Sequence, residues 1–220
     1  MQDSNAIVTL IIIVGSGILT FQGLNNPTFF QKFMFDNRAI SGGKEYYRMF
    51  TSGFLHADWM HFAFNMFSLF SFGSVIERNF TSTNLLLIYF ASILGGNILS
   101  LVIYKKIHYR AIGASGGVCG VIYASIFLIP GGSIYIMPIP IAIPSWIYAI
   151  LFLLISFYGM KSGRDNIGHI AHLGGALVGL AVTFLLFPRA VTAQPELVGL
   201  ILLISAGIVG YETWKKKRNA

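Results

Sequence analysis

An all-α, polytopic membrane helical bundle is the fold class that this sequence predicts, and three observations predict it. Hydrophobic residues fill 55% of the 220 positions and charged ones 10%. Mean hydropathy is +0.71. Windows free or nearly free of charge recur along the whole chain. Soluble domains carry charges at about a quarter of positions, so this chain's solvent is lipid.

The windows are Ala6 to Leu24, Trp59 to Ile76, Leu85 to Tyr104, Ser115 to Ile129, Ser145 to Met160, Ile167 to Phe187 and Leu197 to Trp214. A span needs roughly 20 residues at about 1.5 Å each. Five windows approach that length; the fourth and fifth are short. We therefore expect residues 1–190 to form a six-helix core and 191–220 a seventh helix with a basic tail.

Segment one lacks a basic n-region and a convincing cleavage site, so it reads as a retained helix. Between segments one and two, "NNPTFFQKFMFDNRAISGGKEYYRMFTSGF" is long and half apolar, which predicts a folded or interfacial element. Between four and five, "PGGSIYIMPIPIAIP" carries prolines that rule out a regular helix.

Charge narrows the partners. The net charge of +7 alone fits nucleic acid or lipid, but the basic residues lie scattered at loop ends with one run, KKKR, at 215–218. That pattern predicts anchoring at a bilayer and no nucleic-acid partner. Most basic residues follow odd-numbered segments: Lys32, Arg38, Lys44 and Arg48 after one, Lys105, Lys106 and Arg110 after three, Lys161 and Arg164 after five. Positive-inside counting puts that side in the cytoplasm. The single cysteine, Cys119, excludes an internal disulfide and a cysteine-built metal site.

Polar side chains inside spans are costly and mark candidate sites. Segment two opens with "HADWMHFAFNMF", holding His56, His61 and Asn65; segment four opens on Ser115; segment six opens with "IGHIAHLGGALVG", holding His169 and His172. All three segments are even-numbered and cross in the same direction, so their first turns share one face of the membrane. By helix rise, Asn65 and His172 lie roughly 8 to 9 Å below the surface, and the short fourth segment puts Ser115 about 8 Å down.

A hydroxyl, an imidazole and two further hydrogen-bonding groups at one depth suit acyl transfer. Serine needs a base, and the developing oxyanion needs donors. The glycines of "AIGASGG", Gly113 and Gly116 among them, permit non-helical backbone whose amides can bind that oxyanion. None of the eight acids lies mid-span. The expectation is a Ser115–His172 dyad without a carboxylate, with His61 and Asn65 on the oxyanion.

Simpler readings exist for each part taken alone. Gly113, Gly116, Gly117 and Gly120 fit small-residue helix packing, and His61 with Asn65 fits interhelical bonding. No His-Glu-x-x-His pattern accompanies His169 and His172, so neither a metal nor a cofactor is expected. Tyr46, Arg48 and Glu77 read as supporting and structural. Agreement in depth and face favours the site.

These motifs resemble those of the rhomboid family of intramembrane serine proteases. "GASG" at 113–116 is similar to its nucleophile motif, "AHLGG" at 171–175 to its histidine motif, and "HADWMHFAFN" at 56–65 to its second-helix signature. "YYRMFTSGFLH" and "VIE" resemble its Trp-Arg loop and second-helix glutamate, with Tyr47 in place of tryptophan. The resemblance covers about residues 44–187.

It implies a six-helix core, water reaching a cavity from one face, and transmembrane protein substrates admitted sideways. It implies Ser115 as nucleophile, His172 as base and then acid, and His61, Asn65 and the Ser115 amide as oxyanion donors. It also implies a cell-membrane location with the site open to the outside, opposite to the basic-residue count. Cys119 stands where the family often has an aromatic against the catalytic histidine; either another aromatic, with Tyr123 the candidate, does that job, or His172 is held more loosely. Two other functions stay open: a catalytically silent relative that binds transmembrane clients, and a transporter with buried histidines as a proton relay.

Overall fold

The computed structural model describes residues 6–135, 141–162 and 169–218. Helix α1 (Ile7–Asn25) is apolar nearly all round, and its buried stripe runs Thr9, Ile12, Ser16, Thr20 and Gly23 at helical spacing. The connection that follows is folded, as its apolar content predicts. It holds α2 (Pro27–Phe33), strand β1 (Phe35–Asp36), α3 (Asn37–Ser41), α4 (Arg48–Thr51) and a 3₁₀ turn, Ser52–Phe54.

Buried polar groups must find partners, and here they hold the connection shut. Arg48 donates to the carbonyls of Gln31 at 2.6 Å and Met34 at 3.0 Å, and to the Glu45 carboxylate at 2.6 Å. Asp36 caps α3 through the amides of Arg38 and Ala39 and accepts from His108 at 2.9 Å and Arg110 at 2.7 Å. Burial opposes the Asp36 charge, but the hydrogen bonds from His108 and Arg110 outweigh it and hold the carboxyl below the usual range. Strand β1 pairs antiparallel with β2 (Arg110–Ala111), so the chain just before Ser115 is sewn to this connection.

Helices α5 (Trp59–Asn79) and α6 (Ser82–Ile103) join α1 as the three described helices long and apolar enough to cross a membrane. Asp58 caps α5 by accepting from His61 N at 2.7 Å, and Thr81 caps α6. At the far end of α5, Glu77 accepts from Val8 N and Thr9 N at 2.8 Å each, from Thr9 Oγ1 at 2.7 Å and from Ser82 at 3.0 Å. First-turn amides have no intrahelical acceptor. Glu77 supplies one for α1 and ties three helices together, about 18 Å along α5 from Asn65.

Helix α7 (Ser115–Leu128) has 14 residues, and all from Ser115 to Phe127 are buried. At about 21 Å it is shorter than a roughly 30 Å hydrocarbon core, so it sits wrapped inside the bundle. After it, β3 (Ser133–Tyr135) pairs with β4 (Ala142–Pro144), the non-helical stretch that the prolines require. Helix α8 (Ser145–Ser162) and helix α9 (His169–Leu186) follow.

Helix α9 packs most extensively on α6 and α7, and glycine permits the approach. A Cβ on Gly174 would lie 2.8 Å from Gly96 Cα, and one on Gly175 or Gly179 would strike the α7 backbone at Gly116 and Gly120. Such small-residue contacts let helices pack closely where lipid offers no hydrophobic drive. A short α10 (Pro188–Thr192) leads into α11 (Pro195–Arg218). The sequence gives no sign of α10. The last helix runs through the basic segment that was expected to be a tail.

Candidate active site

Ser115 is the first residue of α7 and His172 lies in the first turn of α9; His172 Nε2 and Ser115 Oγ are hydrogen-bonded. Each residue is 4% exposed, so the pair is enclosed. Three features of the sequence bring them together. The glycine face of α9 seats it against α7, the apolar run after Ser115 buries α7, and a turn at Gly113 and Ala114 starts that helix below the surface.

Gly113 has φ +126°, a conformation that suits glycine alone, and its amide donates to Ser52 O at 3.0 Å. The space a Cβ would fill lies 2.8 Å from His61 Cε1, 2.9 Å from His61 Nε2 and 3.4 Å from Ser115 Oγ. The His61 ring and the serine hydroxyl thus pack closely against the Gly113 backbone, an approach that any side chain there would block. Asn65 is buried one turn further along α5 and donates from Nδ2 to His61 O at 3.0 Å, which uses one of its two N–H groups.

His56 is fully buried beside the His61 ring. Its ring meets His61 edge-on at 5.1 Å, Nδ1 lies 2.9 Å from Thr20 Oγ1, and Nε2 accepts from Ala114 N at 3.5 Å. Burial, with the neighbouring His61 adding to it, lowers the His56 pKa to about 3, so its ring is neutral.

Other expected residues fall elsewhere. Gly116 is a packing residue as well as a helix start, with α9 across its face. His169 opens α9, and its side chain lies outside the described residues. Arg48 and Glu77 hold the first connection and the far helix ends, with no described contact to the pair. Cys119 is buried in the core. The Tyr123 hydroxyl donates to Ala149 O at 3.2 Å. The aromatic described against His172 is Phe152 of α8, with ring centroids 5.6 Å apart.

Phe152 carried no motif, and only packing of α8 beside α9 identifies it. The same ring stacks on Phe64 of α5 at 5.7 Å, and one turn deeper Ser68 Oγ meets Tyr148 OH at 2.9 Å. Side-chain tips therefore close the seam between α5 and α8 beside the pair. Among the described residues no cluster of His, Cys, Asp and Glu has metal-site geometry.

Comparison with known proteins places the chain in a family. The Rhomboid domain family model matches residues 43–189. The mitochondrial rhomboid-like protein 12 of Arabidopsis thaliana is 27% identical over 194 residues, covering 81% of this chain and 57% of its own. The mitochondrial rhomboid-like protein 6 of the same plant is 32% identical, covering 80% and 55%. The rhomboid protease GluP of Bacillus subtilis is 31% identical, covering 79% and 32%. The chain thus spans about half the length, or less, of these relatives.

Proposed function

This chain belongs to the rhomboid family, and from that membership we propose that it is an intramembrane serine protease. It is a multi-pass membrane protein of a family that includes proteases. The observation that carries the finer reading is the bond between Ser115 Oγ and His172 Nε2 inside the bundle.

In this reading Ser115 Oγ attacks the carbonyl carbon of a peptide bond near the end of a substrate's transmembrane segment, and His172 Nε2 takes its proton. The carbonyl oxygen becomes an oxyanion held by His61, the second N–H of Asn65 and the Ser115 amide. His172 then passes the proton to the leaving amine, which frees one product and leaves an acyl-serine ester. Water, deprotonated by His172, splits the ester and restores the hydroxyl. Phe152 sets the plane of the imidazole, the part a carboxylate plays in other triads.

The substrate reaches the pair through the α5–α8 seam, since a helix in the bilayer meets the protein from the side. Its carbonyls are engaged in its own hydrogen bonds, so a segment that unwinds easily near the cut is favoured. In this reading the membrane is the cell membrane; the relatives include Bacillus subtilis proteins and mitochondrial proteins of Arabidopsis thaliana.

The test is labelling of the detergent-purified protein by a fluorescent serine-reactive phosphonate. Wild type is expected to label, and Ser115→Ala and His172→Ala to lose the signal with their thermal midpoints near wild type. Labelling that survives Ser115→Ala overturns the assignment of the nucleophile. A well-folded wild type that never labels points instead to a silent client-binding relative.

A further inference from the structure

Thr20 lies toward the C-terminal end of the chain's first helix, outside the region that matches the family model, yet it touches the machinery around Ser115. Its Oγ1 is fully buried, 2.9 Å from His56 Nδ1 and 3.3 Å from Phe54 O. The opposite nitrogen of the same ring, Nε2, accepts from Ala114 N. Ala114 is the residue before Ser115.

These contacts admit one consistent direction. An amide N–H can only donate, so Nε2 must be the bare nitrogen of a neutral ring, and the proton then sits on Nδ1. Nδ1–H donates to Thr20 Oγ1, which leaves the Thr20 hydroxyl proton for the Phe54 carbonyl. Donor and acceptor alternate without a conflict from Ala114 N–H through His56 and Thr20 to Phe54 O. Networks of this kind specify a unique arrangement only when every member is satisfied.

We propose that Thr20 is a positioning residue for the site: through its bond to Nδ1 it selects the His56 tautomer that accepts the Ala114 amide and so holds the turn into Ser115. His56 also supports the His61 ring edge-on, at 5.1 Å, so the same tautomer steadies both the turn into Ser115 and the ring packed on Gly113. Without the Thr20 hydroxyl the imidazole is free to move its proton to Nε2. Nε2–H then faces Ala114 N–H, donor against donor, and the turn shifts. This assignment rests on Ser115 as nucleophile for its kinetic consequence, while its tautomer prediction is independent of any activity.

The test has two arms. In the first, ¹⁵N spectra of histidine-labelled protein, with His56 assigned by a His56→Gln difference, are expected to show a protonated Nδ1 and a bare Nε2. A protonated Nε2 in wild type overturns the proposal whether or not the protein is a protease. In the second, phosphonate labelling of Thr20→Val is expected to slow by about tenfold, with Thr20→Ser retaining the wild-type rate and the wild-type tautomer. A Thr20→Val variant that labels at the wild-type rate overturns it. If Thr20→Val fails to fold, Thr20→Ser and the wild-type spectrum decide the question. A wild type that shows the expected tautomer but never labels removes the protease reading and leaves the tautomer assignment standing.

Discussion

Gly113 carries the most stringent constraint of any single residue near the serine, because both its backbone and its missing side chain are used. Its φ of +126° excludes ordinary residues, and a methyl group would fall 2.8 Å from His61 Cε1. Strain of this kind costs on the order of 1–3 kcal/mol, modest beside a bundle of this size. Gly113→Ala should therefore remain folded, with a thermal midpoint lowered by a few degrees, and should lose phosphonate labelling at least tenfold. A labelling rate near wild type would show that the close approach of His61 to Gly113 does not matter to the reacting serine. The glycine was legible in "GASG", but not its positive φ, since a glycine in that run is equally at home in a helix. Gly116, the next one but two, is helical. Phe152 left no trace at all, because one aromatic in an apolar segment looks like any other until the helices are packed.

At the scale of elements, the seam between α5 and α8 differs from every other interface near the pair. Helices α6, α7 and α9 meet backbone to backbone over their glycines, whereas α5 and α8 touch through Phe64 on Phe152, Ser68 on Tyr148 and Phe72 on Tyr148. Side-chain tips part at lower cost than interlocked backbones, since only rotamers and a few contacts change. A hydrogen bond such as Ser68–Tyr148 contributes about 0.5–1.5 kcal/mol, and measured interhelical values in membranes average about 0.6. Ser68→Ala and Tyr148→Phe are each expected to raise cleavage of a transmembrane substrate two- to fivefold while leaving the labelling rate by a small phosphonate nearly unchanged. Equal gains for both would place the effect at the serine, and no gain would place the route elsewhere. The helices themselves were readable from hydropathy to within a few residues at most ends. Which pairs interlock and which merely touch was not, because that depends on the rotation of each helix about its axis.

For the whole molecule, the buried centre is α7, clasped by α5, α6 and α9, with α1 fastened at both ends through Glu77 and His56. Helix α11 stands apart from that plan. Beside it lies an apolar cavity of about 420 Å³ lined by α9, α10 and α11, so it is not seated as the inner helices are. Removal of residues 195–220 is accordingly expected to preserve phosphonate labelling to within twofold, with a small drop in thermal midpoint. Abolished labelling in a truncated protein that still folds would assign α11 a part in the site.

The sequence by itself determined that this chain belongs in a bilayer and roughly where its apolar helices lie, and it raised the expectation that one serine and one histidine meet at one depth. Hydropathy and helix rise are properties of single segments, and they need no partner to be read. Only the tertiary structure decided that Phe152 lies against His172, that the His61 ring packs on Gly113, and that Thr20 reaches the turn before Ser115 through His56. Each of those facts depends on side chains from segments far apart in the chain, and their meeting is set by helix rotation and close packing at glycines, quantities that no one segment carries.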